Sequence, residues 1–248
     1  SISLIVREDI KEVVSEQHPD FSVNPDYFED GIWISGSVIW TKDDVKKVSV
    51  DNTAFLNSGR LVAARISSSN AEKWNSNGGP LKCQQIDVQS ENISVNQCNY
   101  LWDIIKSINQ TINEDIIDLD AIDKDDFSVT HLINPDKIFI NNASIMPGVL
   151  INAEKGPVII DDNARVCGQS YIEGPAYVGP NTIISPLTKI KDSVIGANCK
   201  IGGELESSVI QGFSNKVHEG HIGDSFLGEW VNLGAGTSNS NLKNNYSS

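Results

Sequence analysis

The sequence predicts an α/β N-terminal domain followed by a parallel β-helix, and three observations carry that expectation. Ile160, Val166, Ile172, Val178, Ile184 and Ile190 fall six residues apart without a miss. Four places after the first five stand Ala164, Ser170, Ala176, Thr182 and Thr188, all small. Near the start, Ile2, Leu4 and Val6 alternate, Ile10, Val13 and Val14 take helical spacing, and Phe21 and Val23 return to an extended pattern. A helix repeats apolar residues every three to four positions and a strand every two. A period of six, with one aliphatic and one small residue, is the hexapeptide signature of a β-helix whose coils hold about 18 residues each.

In chain order, residues 1–24 read as strand, helix, strand, with His18-Pro19 stopping the helix. From Gly31 to Ile66 short strands are expected. Ile32 and Ile34 alternate, Ser35-Gly36-Ser37 turns, and Val38 to Trp40 returns. Asn57-Ser58-Gly59 is a hairpin-like turn between Thr53–Leu56 and Leu61–Ile66. Ser67 to Gly79, rich in Ser and Asn, reads as a loop. Trp102, Ile105, Ile108 and Ile112 predict one helix from Tyr100 to Glu114. Aspartates then crowd the chain, so the expected domains are 1–115, a linker 116–137, and a β-helix 138–248 of about six coils. The register slips by one at Ile195, resumes at Cys199 and Ile201, and returns at Leu227, Leu233 and Thr237.

Charge narrows the function. A net charge of −14 offers no basic face for phosphate backbones, so nucleic acid is excluded as a partner. No apolar run approaches the roughly 20 residues that span a bilayer, and the first residues lack a signal-peptide pattern, so a cytoplasmic protein is expected. The four cysteines show no C-x-x-C spacing.

The run Leu227-Gly-Glu-Trp-Val-Asn-Leu-Gly-Ala-Gly-Thr237, preceded by His218-Glu-Gly-His-Ile-Gly-Asp224, resembles the acetyltransferase domain of the bifunctional sugar-1-phosphate nucleotidyltransferase/acetyltransferases. Val231–Thr237 with Asn241-Leu-Lys243 is most similar to the archaeal and alternative bacterial branches. Ser3–Ile10 and Gly59–Arg65 resemble that branch's divergent nucleotidyltransferase domain. The resemblance implies a partial nucleotidyltransferase-like domain followed by a left-handed β-helix acyltransferase that forms a homo-trimer. It also implies acetyl-CoA as co-substrate and a sugar phosphate as acceptor. A nucleoside triphosphate with Mg²⁺ would serve the nucleotidyltransferase half. The left-handed sense comes from the resemblance alone, and it runs against the usual right-handed crossover.

Carried over by position, the family's catalytic base falls on His218 and its sugar-contacting residues on His221 and Asn232. Gly234, Ala235 and Asn241 fall where acetyl-CoA is approached. His221 stands where the family has tyrosine. Two cations that grip the sugar phosphate are replaced at about Ser185 and Glu206, which weakens the match to that substrate. The family's phosphate-gripping loop does not precede the second strand, and the chain stops just past Gly234–Thr237. A piece truncated at both ends, without nucleotidyl transfer in this form, is therefore expected. Two other readings stay open. One is a non-catalytic oligomerisation scaffold. The other is a zinc-dependent carbonic anhydrase-like β-helix, which would need three protein ligands from the few histidines present.

Overall fold

The computed structural model describes residues 2–76, 88–119 and 130–239. They form two compact units, Ser1–Gln97 and Cys98–Ser248.

The first unit opens with the expected strand–helix–strand. Ser3–Leu4 pairs parallel with Ser22–Val23, and helix Lys11–Gln17 connects them and ends at His18. The Asn24 side chain closes the crossover, accepting from the Val6 amide at 2.8 Å and donating to its carbonyl at 3.0 Å. A four-stranded sheet follows in the order Gly31–Ile34, Arg60–Ile66, Thr53–Asn57, Gln89–Asn92. The hairpin turn at Ser58 and Gly59 is as expected, with φ of 49° and 78°.

Three expectations in this unit are corrected. Val38–Ile39 does not return onto Ile32–Ile34; it pairs with Asn96–Gln97, while Gly31–Ile34 takes Arg60–Ile66 as its neighbour. A helix, Lys42–Lys47, stands where none was expected, its first turn fixed by the Asp44 amide donating to Thr41 Oγ1. Ser68–Ser76 is a helix and not a loop. Ala71 and Trp74, three residues apart, bury one stripe against Ala64 and Ile66, and Trp74 meets Trp33 edge-on at 5.9 Å. Burial of a tryptophan there outweighs the poor helix propensity of Ser and Asn.

The second unit begins with the helical segment that was expected to close the first domain. The single helix expected from Tyr100 to Glu114 is two, Leu101–Lys106 and Ile108–Asp115, broken at Ser107, whose hydroxyl donates to the Asp103 carbonyl. Ile108 and Ile112 pack on Phe139, Ile159 and Val209, outward residues of the β-helix. Of the linker expected at 116–137, residues 120–129 lie outside the described residues; the described part holds a helical turn at Ile116–Asp118, a strand at His131–Ile133 and a second helical turn at Pro135–Lys137.

The β-helix itself starts at His131 and makes six described coils with three parallel faces. On the first, Leu132, Ile151, Ile172, Ile190, Leu205 and Ile222 stack in register. The second carries the row Ile140, Ile160, Val178, Ile195, Ile210, Leu227. Ile145, Val166, Ile184, Ile201 and Lys216 line the third. The six-residue period therefore steps one face at a time, and all six of its members have no exposed surface. The slip at Ile195 has a local cause. Register shifts between Glu173 and Ala176, so the next coil passes that corner with one residue fewer.

The small residues of the repeat sit buried at the corners, where the backbone leaves the ladder. Their hydroxyls collect its stray groups. Ser170 Oγ donates to the carbonyls of Cys167 and Ser185, and Thr182 Oγ1 donates to Gly196 and accepts from the Cys199 amide. Asn142, Asn163, Asn181 and Asn198 repeat at another corner with φ between 46° and 57°, the left-handed region that Asn tolerates. Higher up that corner the place passes to Phe213 and Trp230, whose rings stack at 4.8 Å. No described helix is long and apolar enough to cross a membrane.

Candidate functional site

The candidate residues gather at the corner that joins the third face to the first, in the last coils. Strand Asn215–Lys216 leads into it and His221–Gly223 leads out, leaving Val217–Gly220 as the corner itself. The coil below turns at Gly202-Gly203, and both glycines are needed. A Cβ on Gly202 would run into the Val217 carbonyl. Gly203 has φ +74°, and a Cβ there would lie 2.7 Å from the Gly220 carbonyl and 3.0 Å from that of His218. The two corners thus stack backbone on backbone.

The coil above closes over the same place. Asn232 bridges Asn215 in parallel, and the Leu233 amide donates to the Asn215 carbonyl at 2.8 Å. The Gly236 amide donates to the Glu219 carbonyl at 3.1 Å, the His221 amide to Ser238 Oγ at 3.0 Å, and the Asn239 amide to the His221 carbonyl at 3.0 Å. This ladder sets the Gly234–Gly236 turn directly over the His218 corner.

His218, Asn232, Gly234 and Ala235 are all exposed, and His221 is half-buried. A Cβ on Gly234 or Gly236 would meet nothing within 4 Å, so the peptide edge there is open to an incoming group. Asn241 lies outside the described residues. Ser185 and Glu206, expected to stand in for two cations, are on different faces, Ser185 just after the third-face strand Ile183–Ile184 and Glu206 in the first-face strand Glu204–Glu206.

The two histidines differ in their surroundings. His221 continues a first-face row of Tyr171, Lys189 and Glu204. Its Nδ1 lies 3.7 Å from Glu204 Oε2, and Lys189 Nζ donates to Glu204 Oε1 at 2.5 Å. The hydrogen bond from Lys189 holds the Glu204 carboxyl below its ordinary pKa, so it is a carboxylate when it faces the imidazole. The His218 imidazole, by contrast, has no hydrogen-bonding partner among the described residues.

One residue was missed from the sequence. Lys216 is only 2% exposed and occupies the inward row of the third face, where Ile201 stands one coil below. Its Nζ donates to the carbonyls of Gly202 at 2.8 Å and His218 at 3.0 Å. Burial pushes its pKa down, against the upward pull of Glu219 and Glu204. The signal was available: a lysine falls where the repeat demands an aliphatic residue.

Among the described residues of one chain, no three His, Cys, Asp or Glu side chains are gathered that could hold a metal ion.

Comparison with known proteins agrees with this architecture. Residues 1–122 match the family model of the sugar nucleotidyl transferases. The bifunctional protein GlmU of Thermodesulfovibrio yellowstonii is 36% identical over 103 residues, which cover 39% of this chain and 21% of that protein. The GlmU of Acaryochloris marina is 30% identical over 142 residues, 48% of this chain and 31% of its own length. A bifunctional sugar-1-phosphate nucleotidylyltransferase/acetyltransferase of Sulfurisphaera tokodaii is 39% identical over 96 residues, 36% of this chain and 23% of that protein. The chain spans less than a third of the length of each of these relatives. Residues 1–122 are thus similar to the sugar nucleotidyl transferases, and part of the chain is similar to the bifunctional nucleotidylyltransferase/acetyltransferases.

Proposed function

We propose that this chain belongs to a transferase of nucleotide-sugar biosynthesis, with a nucleotidyltransferase-like part in residues 1–115 and an acyltransferase β-helix of left-handed sense in 138–248. The reaction of the second part is acetyl transfer from acetyl-CoA to the amine of an amino-sugar phosphate. The observation that supports it most directly is the stacking of His218, His221 and the open Gly234–Gly236 turn at one corner of adjacent coils.

In this reading His218 is the general base. The amine attacks the thioester carbonyl and loses a proton as the carbon–sulfur bond breaks and the CoA thiolate leaves, and an imidazole is a side chain suited to accept that proton. Asn232 and His221 orient the sugar from the two flanking faces. The exposed amides around Gly234 and Ala235 approach the thioester, and Asn241 is assigned to acetyl-CoA by the resemblance alone; backbone donors aimed at a developing oxyanion are the usual device for acyl transfer. A homo-trimer places this corner against a neighbouring subunit. Mg²⁺ with a nucleoside triphosphate would serve the other half.

The test is His218→Ala in the full-length protein, assayed with acetyl-CoA and glucosamine 1-phosphate. Turnover should fall by about 10²–10⁴, the usual share of general-base catalysis, with acetyl-CoA binding retained. His221→Phe should act mainly on KM. A His218→Ala protein that turns over at the parent rate would remove the assignment.

A further inference from the structure

A buried charge in the prism interior needs a reason. Every other residue in the inward row of the third face, from Ile145 through Ile201, is aliphatic, and such a residue at position 216 would fill the same space without desolvating an ammonium. What only lysine supplies is a set of donors at the end of a long stem. Two of them are spent on carbonyls of different coils, Gly202 below and His218 at the corner above. Both bonds are charge-assisted, and burial shields them from water, which strengthens them. Since the His218 imidazole makes no hydrogen bond among the described residues, its backbone is its polar anchor, and the described hydrogen bond on its carbonyl comes from Lys216.

We infer that Lys216 is a positioning residue for His218: its buried ammonium straps the His218 carbonyl to the Gly202 corner and so fixes where the imidazole stands. The glycine pair makes the strap possible. A Cβ on Gly203 would lie 2.9 Å from Lys216 Nζ, in the space the ammonium uses. The inference rests on the reading of His218 as the base for its catalytic consequence, though not for the strap itself.

Lys216→Met tests both parts, because methionine matches the aliphatic row and keeps the coil filled. In the full-length protein, kcat with acetyl-CoA and glucosamine 1-phosphate should fall by up to about 10²-fold, the cost of a catalytic group displaced by about an ångström, while KM stays within about twofold. Backbone order parameters at Val217–Gly220 should drop from the rigid value of about 0.85 toward 0.6 or less, with those at Ile184–Ile195 unchanged. Lys216→Gln, which keeps a shorter donor, should recover part of both losses and carries the comparison if the methionine variant does not fold. Unchanged order parameters at the corner overturn the strap. An unchanged kcat in a protein whose turnover depends on His218 overturns the positioning role. If wild-type turnover does not depend on His218, the proposed function fails, and the order parameters alone decide the strap.

Discussion

In the β-helix the interior is filled by rule, whereas in residues 1–97 each buried side chain is held by a different neighbour. Ile172 lies between Ile151 below and Ile190 above, and every other member of its row repeats that relation. Trp74 is buried once, by Ala64, Ile66, Ala71 and the edge of Trp33. The two interiors differ in how they bear damage. A repeating stack shares each contact between coils, and a gap in it cannot be closed without tilting a whole coil. A small cluster depends on one large side chain but has loops around it that can settle.

Trp74→Ala should have the largest effect on stability, about 3–5 kcal/mol, and should confine it to the first unit. Urea titration followed by fluorescence, compared with far-UV circular dichroism of the β-helix, would show whether the loss stays there. Simultaneous collapse of both signals would break the comparison. Ile172→Ala should cost about 2–5 kcal/mol in the β-helix transition, toward the upper end because the stack resists relaxation. A loss under about 1 kcal/mol would mean that coils settle as readily as loops. The smallest effect belongs to a polar contact on the second face. Tyr177 donates to Asp161 at 2.9 Å, and burial, reinforced by that carboxylate, raises its phenol pKa to about 12. A folded pKa above the unfolded value of about 10 gives stability that is complete below pH 10 and is lost as pH climbs toward 12. Tyr177→Phe should flatten that alkaline decline in the urea midpoint. Parallel wild-type and variant profiles through that range would show that Tyr177 makes no such contribution.

The same contrast decides what could be read from the chain beforehand. Inward positions of a stacked prism obey one period, so Ile160 through Ile190 announced both the fold and their own burial. Helix Ser68–Ser76 was hidden because its residues favour loops and its two anchors, Ala71 and Trp74, are too few to mark a period. The break at Ser107 was invisible for a related reason: Ile105, Ile108 and Ile112 keep helical spacing across it, and only the Ser107–Asp103 hydrogen bond betrays the new start. At the candidate site, His218, His221, Asn232, Gly234 and Ala235 came from a resemblance, and the structure adds their stacking on one corner. Lys216 could have been found as a violation of the period, since a charge in an aliphatic row is the kind of inconsistency that marks a site.

The corners carry one more consequence. The inward rows stay aligned although successive coils differ in length, as the passage from Glu173–Ala176 to the next coil shows, because each difference is absorbed where the chain turns. For the gene, this makes the coil the natural unit of change. Removing residues 173–190 would join Ile172 to the residue that follows its own stacking partner, and every later side chain would keep its face. Removing Ile172 alone would shift its strand by one and turn the buried side chains of that face outward. An in-frame loss of about 18 codons should therefore be easier for this protein to survive than the loss of the Ile172 codon alone.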